Sequence, residues 1–484
     1  MHFAIAREWL EECDSSPSHI NCRPADNPRL PARLLDVQGD VPYLRDSEDI
    51  DDVYLALSHP WGDPRTNNHF CTYTHNIESH KKGINFNKLP ATFRDAITVT
   101  RQLGFRYLWI DSLCIIQGPN GDFAEQSKSM GDVFSSAHCV IAASRATGQE
   151  DGFLGERAER SYISINRKGE HGSDTYHVCE QIDDFQGHVI DGSLNKRGWV
   201  LQERALARRT LYFTESQTYW ECGGGIRCET FTKLENNIAA FLGDPRFPEV
   251  AMRSSRGERI YLYQIFYKQY SRLQFTRIED RPFGIAGLEK RLIQGFGTNG
   301  GYGVFDDNSG LLHRSLLWYR GQEEPLERIR FSPERNESIP SWSWMAYKGG
   351  IDYLDLTGNG FDWEQKEIQS PWVGKSNEVF YTTDKGSRVK LVVTLRRFDV
   401  DKAAVFIDVP SERYTRASDL RCVILARSKN VIPRKERICY VLIVAPRQSE
   451  MEGFDRRKVF LRVGVGYTLE RYIHEPYLES VNLY

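Results

Sequence analysis

The chain has 484 residues, 40% hydrophobic and 12% aromatic, enough for two or three packed cores and too apolar for wholesale disorder. Its 63 basic and 66 acidic residues leave a net charge of −3, which gives no general attraction for nucleic acid or an anionic membrane surface. No segment reaches the roughly eighteen apolar residues of a spanning helix, and ten cysteines in this length are ordinary usage rather than a disulfide scaffold. The opening MHFAIAREWLEEC turns acidic before any long apolar run, so a secretory leader is not expected and a reduced, cytoplasmic protein is.

Residues 1–50, with many Pro and Asp, read as an irregular strap with a short strand near Arg33–Val37. Val53–Ser58 reads as a buried strand running into the breaker cluster His59-Pro60-Trp61-Gly62. Pro90 and Gly104 bracket a helix whose apolar face carries Phe93, Ala96, Ile97 and Leu103. Tyr107–Asp111 is the next strand. A second helix starts near Asp122, with Phe123, Met130, Val133, Phe134 and Ala137 on one side, and Cys139–Ala143 is a third strand. Strand, helix, strand, helix, strand implies an α/β core with a parallel sheet.

After about residue 155 the pattern changes. Arg197–Leu206 reads as a short helix, and Leu211–Thr214 with Gln217–Glu221 as a hairpin. Glu258–Arg272 and Pro282–Gln294 read as amphipathic helices, and Gly295–Gly300 as a loop. That loop matches G-x-G-x-x-G only formally, since it follows a helix and opens none. From Lys390 onward LVVTL, CVILA, CYVLIVA and FLRVGVGY are antiparallel strands. The expected division is a strap (1–50), an α/β core (51–230), a helical and loop region (231–385) and an antiparallel β region (386–484).

The segment Tyr107–Gln117, YLWIDSLCIIQ, sets Asp111 and Cys114 among apolar neighbours. A charge is costly to desolvate unless it is met by a polar partner. Open α/β sheets keep their ligand crevices at the carboxyl ends of such strands, so a site is expected here.

These blocks resemble the fungal heterokaryon-incompatibility (HET) domain. Leu57-Ser58-His59-Pro60-Trp61-Gly62 is similar to the family's Leu-Ser-Tyr-x-Trp-Gly, departing at His59-Pro60. Tyr107–Gln117 matches Tyr-Leu-Trp-Ile-Asp-x-Leu-Cys-Ile-x-Gln throughout, and Leu89-Pro90, Glu125 and Met130 fall where the family carries them. Arg197-Gly198-Trp199-Val200-Leu201-Gln202-Glu203-Arg204 is similar to Arg-Gly-Trp-x-x-Gln-Glu-Arg, and Pro340-Ser341-Trp342-Ser343-Trp344 also looks like HET proteins. The resemblance implies a role in fungal nonself recognition and programmed cell death, and a flavodoxin- or TIR-like sheet. Some TIR domains cleave NAD, an analogy at the level of fold.

Asp111 and Glu125 are candidates for a carboxylate pair in glycosidic cleavage. Asp122-x-x-Glu125 is equally the spacing of a helix-start cap, and Asp111 could cap the turn after its strand. Glu203, four residues after Trp199, could anchor a ribose or nucleobase, or pair with an arginine. Arg197 and Arg204 could grip phosphate or hold their block onto the sheet. Cys114 is a nucleophile only if His59 reaches it, and otherwise a packing residue. Ser58, Trp61, Gln117 and Gln202 flank these positions. Trp342 and Trp344, two apart, would share one face of a strand as core or as a stacking platform. Cys13, His19 and Cys22 offer zinc-type ligands, with Cys71, His69 or His75 to complete a set; no other cofactor is implied. The expected partner is a small molecule or nucleotide, with a protein partner or self-association as a further possibility. The alternatives to a nucleotide-cleaving effector are a HET scaffold diverted to a small-molecule enzyme with an aromatic pocket, and a non-catalytic interaction module.

Overall fold

The computed structural model describes residues 2–22, 29–63, 65, 69–157, 161–169, 172–234, 254–323, 325–332, 339–356, 360–372, 389–410, 417–429, 436–446 and 459–484. The chain divides into two compact units, Met1–Phe247 and Pro248–Tyr484.

The first unit is built on a nine-stranded mixed sheet. Its strands are β1 (Arg33–Asp36), β2 (Tyr43–Asp46), β3 (Tyr54–Ser58), β4 (Tyr107–Trp109), β5 (Cys139–Ala142), β6 (Arg209–Phe213), β7 (Thr218–Cys222), β8 (Gly225–Cys228) and β9 (Lys233–Leu234). The spatial order is β9-β8-β7-β6-β5-β3-β4-β1-β2. The four central strands, β4-β3-β5-β6, run parallel, and the strands outside them pair antiparallel. Helices α2 (Ala91–Gln102) and α3 (Phe123–Ser136) make the crossovers to β4 and β5, and α4 (Gly198–Leu206) leads into β6.

The central strands are buried on both faces, which is why they read as unbroken apolar runs. Leu55 and Leu57 of β3 pack with Leu108, Ile141, Phe93, Ile97 and, from the N-terminal helix α1 (His2–Ser15), Trp9 and Leu10. The alternate residues Tyr54 and Ala56 pack with Trp109, Val140, Met130, Val133 and Phe134. Helix α2 ends two residues before Gly104, whose φ of +85° takes the left-handed turn.

Two backbone segments differ first from the sequence expectation. The stretch 1–50 is largely regular: α1 packs on the sheet, and β1 and β2 extend it beyond β4. Gly295–Gly300 is not a free loop. Helix α6 (Ala286–Phe296) stops at Gly297, φ +61°, and Asn299–Gly301 pairs with Val304–Asp306 in a hairpin.

In the second unit, helix α5 (Arg256–Ser271) starts on a capping box between Ser255 and Glu258. The strands Leu391–Phe398, Arg421–Ser428, Ile438–Pro446, Val459–Leu469 and Ile473–Leu483 form a ring, closed by the pairing of Arg396 with Cys422. All neighbours in the ring are antiparallel except the last two strands, which meet in parallel. Trp342 and Trp344 are both fully buried, and Trp344 begins a 3-10 turn, Trp344–Ala346, rather than a strand. The Trp344 indole donates to Gly303 O at 3.3 Å, and the Trp342 carbonyl accepts from the Trp318 indole at 3.0 Å. They are core residues of this unit. Among the described residues no helix is long and apolar enough to cross a membrane.

Arg462 is the electrostatic centre of the second unit. Its guanidinium donates to Asp408 at 2.8 Å, to Leu316 O at 2.7 Å and to Trp318 O, and lies 3.2 Å from the centre of the Trp318 ring. Both charged side chains are buried. Removing one member of such a pair leaves an uncompensated buried charge, so Arg462→Ala should cost about 3–5 kcal/mol. Urea unfolding followed by Trp fluorescence measures it; a loss below about 1 kcal/mol would contradict this account.

Candidate functional site

The connections of the parallel strands diverge at β3. The chain passes from β3 to β4 on one side, then back to β5 on the other. A crevice beyond the carboxyl ends is the general consequence of such a reversal. Ser58, the last residue of β3, stands in register with Ala142, the last of β5. His59 follows directly. Gly62, φ +92°, lies against Gly148, where a Cβ would stand 3.3 Å from its Cα, so the loop carrying His59 and Trp61 can turn sharply. Asp111 opens the single helical turn Asp111–Cys114 just beyond β4. Glu203 lies on α4.

These elements bring two carboxylates to one place with different surroundings. The Ser58 hydroxyl donates to Glu203 Oε2 at 2.5 Å, and Glu203 is buried. Burial pushes the Glu203 carboxyl up to about 7; the negative charge of Asp111 adds to this, while the Ser58 bond and the Arg197 charge oppose it. Asp111 remains 23% exposed. Its Oδ2 accepts the Trp61 indole N–H at 2.7 Å and its Oδ1 the Ser112 amide at 2.7 Å. His59 Nδ1 stands 3.8 Å from Oδ1. Burial lowers the imidazole to about 4, despite Asp111, with Arg197 and His69 adding to the fall. His59 is therefore neutral near pH 7.

Unused polar capacity surrounds the pair. His59 Nε2, His69 Nε2 and Ser112 Oγ are buried without a hydrogen-bond partner, and the half-buried Arg197 side chain has no ion pair or hydrogen bond among the described residues. The Phe93 ring meets His59 edge-on at 5.2 Å, and Trp61 meets His69 at 5.4 Å. Buried polar atoms are normally satisfied, so such a concentration marks a place where a ligand or water completes the bonding. His69 and Ser112 carried no sequence signal for this site. Both act here only through folding.

The other candidates fall elsewhere. Glu125 is exposed on the first turn of α3, and the carboxylate that acts on Glu203 is Asp111. The helix-start cap is not formed by side chains either. Asp122 instead accepts the Ile116 amide at 2.7 Å and binds Arg33. Cys114 is buried against Trp109 with its thiol pushed up to about 12 by that burial, and His59 faces Asp111, so the packing alternative holds. Arg204 is committed: it reaches Glu221 through two bonds of 3.1 and 3.0 Å and Tyr212 at 3.1 Å, which holds its block onto the sheet. Glu203 forms no arginine ion pair among the described residues. Trp199 packs on Phe123 at 6.2 Å in the core beneath α3. Gln202 is buried, and Gln117 Nε2 donates to the Asp111 carbonyl at 3.4 Å. Cys13, His19 and Cys22 gather in another part of the first unit.

The family model described as heterokaryon incompatibility protein (HET) matches residues 54–203, which run from the first residue of β3 to Glu203. The chain carries a HET domain. A curated relative, heterokaryon incompatibility protein 6, OR allele, of Neurospora crassa, is 32% identical over 94 residues. That alignment covers 18% of this chain and 14% of the relative's length. No solved structure matches the chain. The polar side chains around the two carboxylates, Ser58, His59, Trp61, His69, Asp111, Ser112, Arg197 and Glu203, lie inside these boundaries.

Glu203 and His59 give opposite pH dependences. The folded state holds a proton on Glu203 up to about 7, against 4.5 in the unfolded chain, so its contribution to stability falls as pH rises through that window. The folded state refuses a proton on His59 down to about 4, against 6.5 unfolded, so its contribution falls as pH drops through that window. Glu203→Gln should therefore gain stability relative to wild type between about pH 5 and 7, and His59→Gln should lose it. Urea midpoints across that range read the difference; profiles parallel to wild type for both variants would refute the assignment.

Proposed function

We propose that this HET-domain protein acts in fungal nonself recognition and regulated cell death, and that the site formed by Asp111 and Glu203 cleaves the glycosidic bond of a nucleotide such as NAD. The observation that carries the chemistry is the contrast between the two carboxylates. Glu203 is sealed against Ser58 and retains a proton near neutrality, whereas Asp111 is partly open and held by two N–H donors. Pairs whose environments separate their proton affinities divide acid and base work. The order of the parallel strands, second-first-third-fourth along the chain, is that of flavodoxin-type sheets, which supports a TIR-like reading.

In this reading Arg197 pairs with a phosphate, and the Ser58–Glu203 pair bonds the ribose hydroxyls. Asp111 faces the positive charge that grows on the ribose carbon as the bond to nicotinamide breaks. The bonding electrons leave with nicotinamide. Water then adds to the carbon and gives its proton to a carboxylate.

Incubation with NAD should release nicotinamide. Glu203→Gln and Asp111→Asn should each slow release by about 100-fold or more, and Arg197→Ala should raise KM with less effect on kcat. No release at high protein concentration removes the catalytic half of the proposal.

A binding role is favoured by a different observation. The hairpin Tyr162–Gly169 with Gly172–Cys179 exposes Ile163 and Ile165 opposite Val178 and Tyr176, each at least half exposed. Contiguous exposed apolar residues mark interaction sites. If binding alone is the function, replacing Ile163, Ile165 and Val178 by Ser abolishes cell-death activity, while Asp111→Asn and Glu203→Gln retain it.

A further inference from the structure

Cys13 lies in the last turn of α1, His19 and Cys22 in the 3-10 segment Pro17–Cys22, and Cys222 at the end of β7. All four are buried, and their donor atoms lie within 4.8 Å of one another. His19 Nδ1 stands 3.4 Å from Cys13 Sγ, 3.6 Å from Cys22 Sγ and 3.5 Å from Cys222 Sγ. A tetrahedral zinc ion with bonds of about 2.3 Å to sulfur and about 2.1 Å to nitrogen sets each N···S separation at about 3.6 Å. The three observed values cluster on that figure. An imidazole nitrogen has a single lone pair or a single N–H, so it cannot hydrogen-bond three thiols at once.

We propose that Cys13, His19, Cys22 and Cys222 bind a structural zinc ion. The sequence spacing of Cys13, His19 and Cys22 suggests three ligands; the fourth is Cys222, some 200 residues away, and not Cys71, His69 or His75. Four protein ligands leave no open position, which makes the site structural rather than catalytic. Binding releases three thiol protons to solvent and uses neutral His19 through Nδ1.

The surroundings suit a bound metal. The Gly224 amide donates to Cys222 Sγ at 3.3 Å, and a Cβ at Gly224 would stand 2.3 Å from His19 Cε1, so only glycine admits the imidazole. Amide bonds to metal thiolates are the usual outer support of such sites. Zinc with three thiolates and one imidazole carries one net negative charge. The fully buried Arg209 side chain stands nearby, donating to Cys22 O at 3.1 Å and pairing with Asp14 at 2.7 Å. The ion would fasten the end of α1 to the end of β7, closing a loop of roughly 200 residues.

The test uses the whole wild-type chain, expressed with zinc and purified without chelator. Elemental analysis should find about one zinc per chain. Exchange into cobalt should give the thiolate-to-metal charge-transfer band of a tetrahedral sulfur-rich site, and chelation should lower the unfolding midpoint. Cys222→Ser should lose the metal, while His19→Cys should keep it. A folded wild-type chain with less than about a tenth of an equivalent of zinc and no cobalt band overturns the proposal. So does an intact mass showing a disulfide among Cys13, Cys22 and Cys222. Both overturning results come from wild-type protein, so a misfolded variant cannot obscure them.

Discussion

Burial of the central strands on both faces is the constraint from which the first unit follows. Leu55 and Leu57 are enclosed on one side, Tyr54 and Ala56 on the other. A strand sealed in this way has no lateral position for a charged side chain, so polar groups collect where the strands end. Ser58, His59 and Asp111 stand at those ends because the interior has no place for them. The connections diverge at β3, the arrangement that in open α/β sheets sets a crevice beyond the strand ends.

The same constraint sorts the carboxylates. Glu221 is compensated in full by Arg204 and Tyr212, and Asp122 by Arg33 and the Ile116 amide. Glu203 has a hydroxyl partner and, among the described residues, no paired cation, so desolvation dominates its proton affinity. Asp111 keeps access to solvent. Glu221 and Asp122 are met by arginines, whereas Asp111 and Glu203 form no arginine ion pair among the described residues.

The elements governed by local pattern were legible in the sequence: the β3, β4 and β5 runs, the helices between them, and α2's end at Gly104, where periodicity and a left-handed turn leave clear marks. The position of Asp111 just beyond β4 followed from a charge among apolar neighbours. What depended on distant contacts was not legible. Asp122-x-x-Glu125 has a capping spacing, yet Arg33 from β1 takes Asp122 away from that role. Cys222 joins Cys13, His19 and Cys22 only through the placement of β7. Of the N-terminal elements, β1 left a mark in the sequence, whereas β2 owes its order to pairing with β1. In the second unit the spacing of Trp342 and Trp344 fits a strand, but tertiary packing makes a 3-10 turn there.

The matched boundaries, 54–203, enclose β3, β4 and β5 but none of the six other strands of the sheet. Cutting the gene at those limits would strip β1 from β4 and β6 from β5, leaving two apolar ladders with open backbone donors and acceptors. Such a fragment is a template for aggregation. An expressible unit of this protein has to carry the flanking strands with it, from the start of α1 through β9.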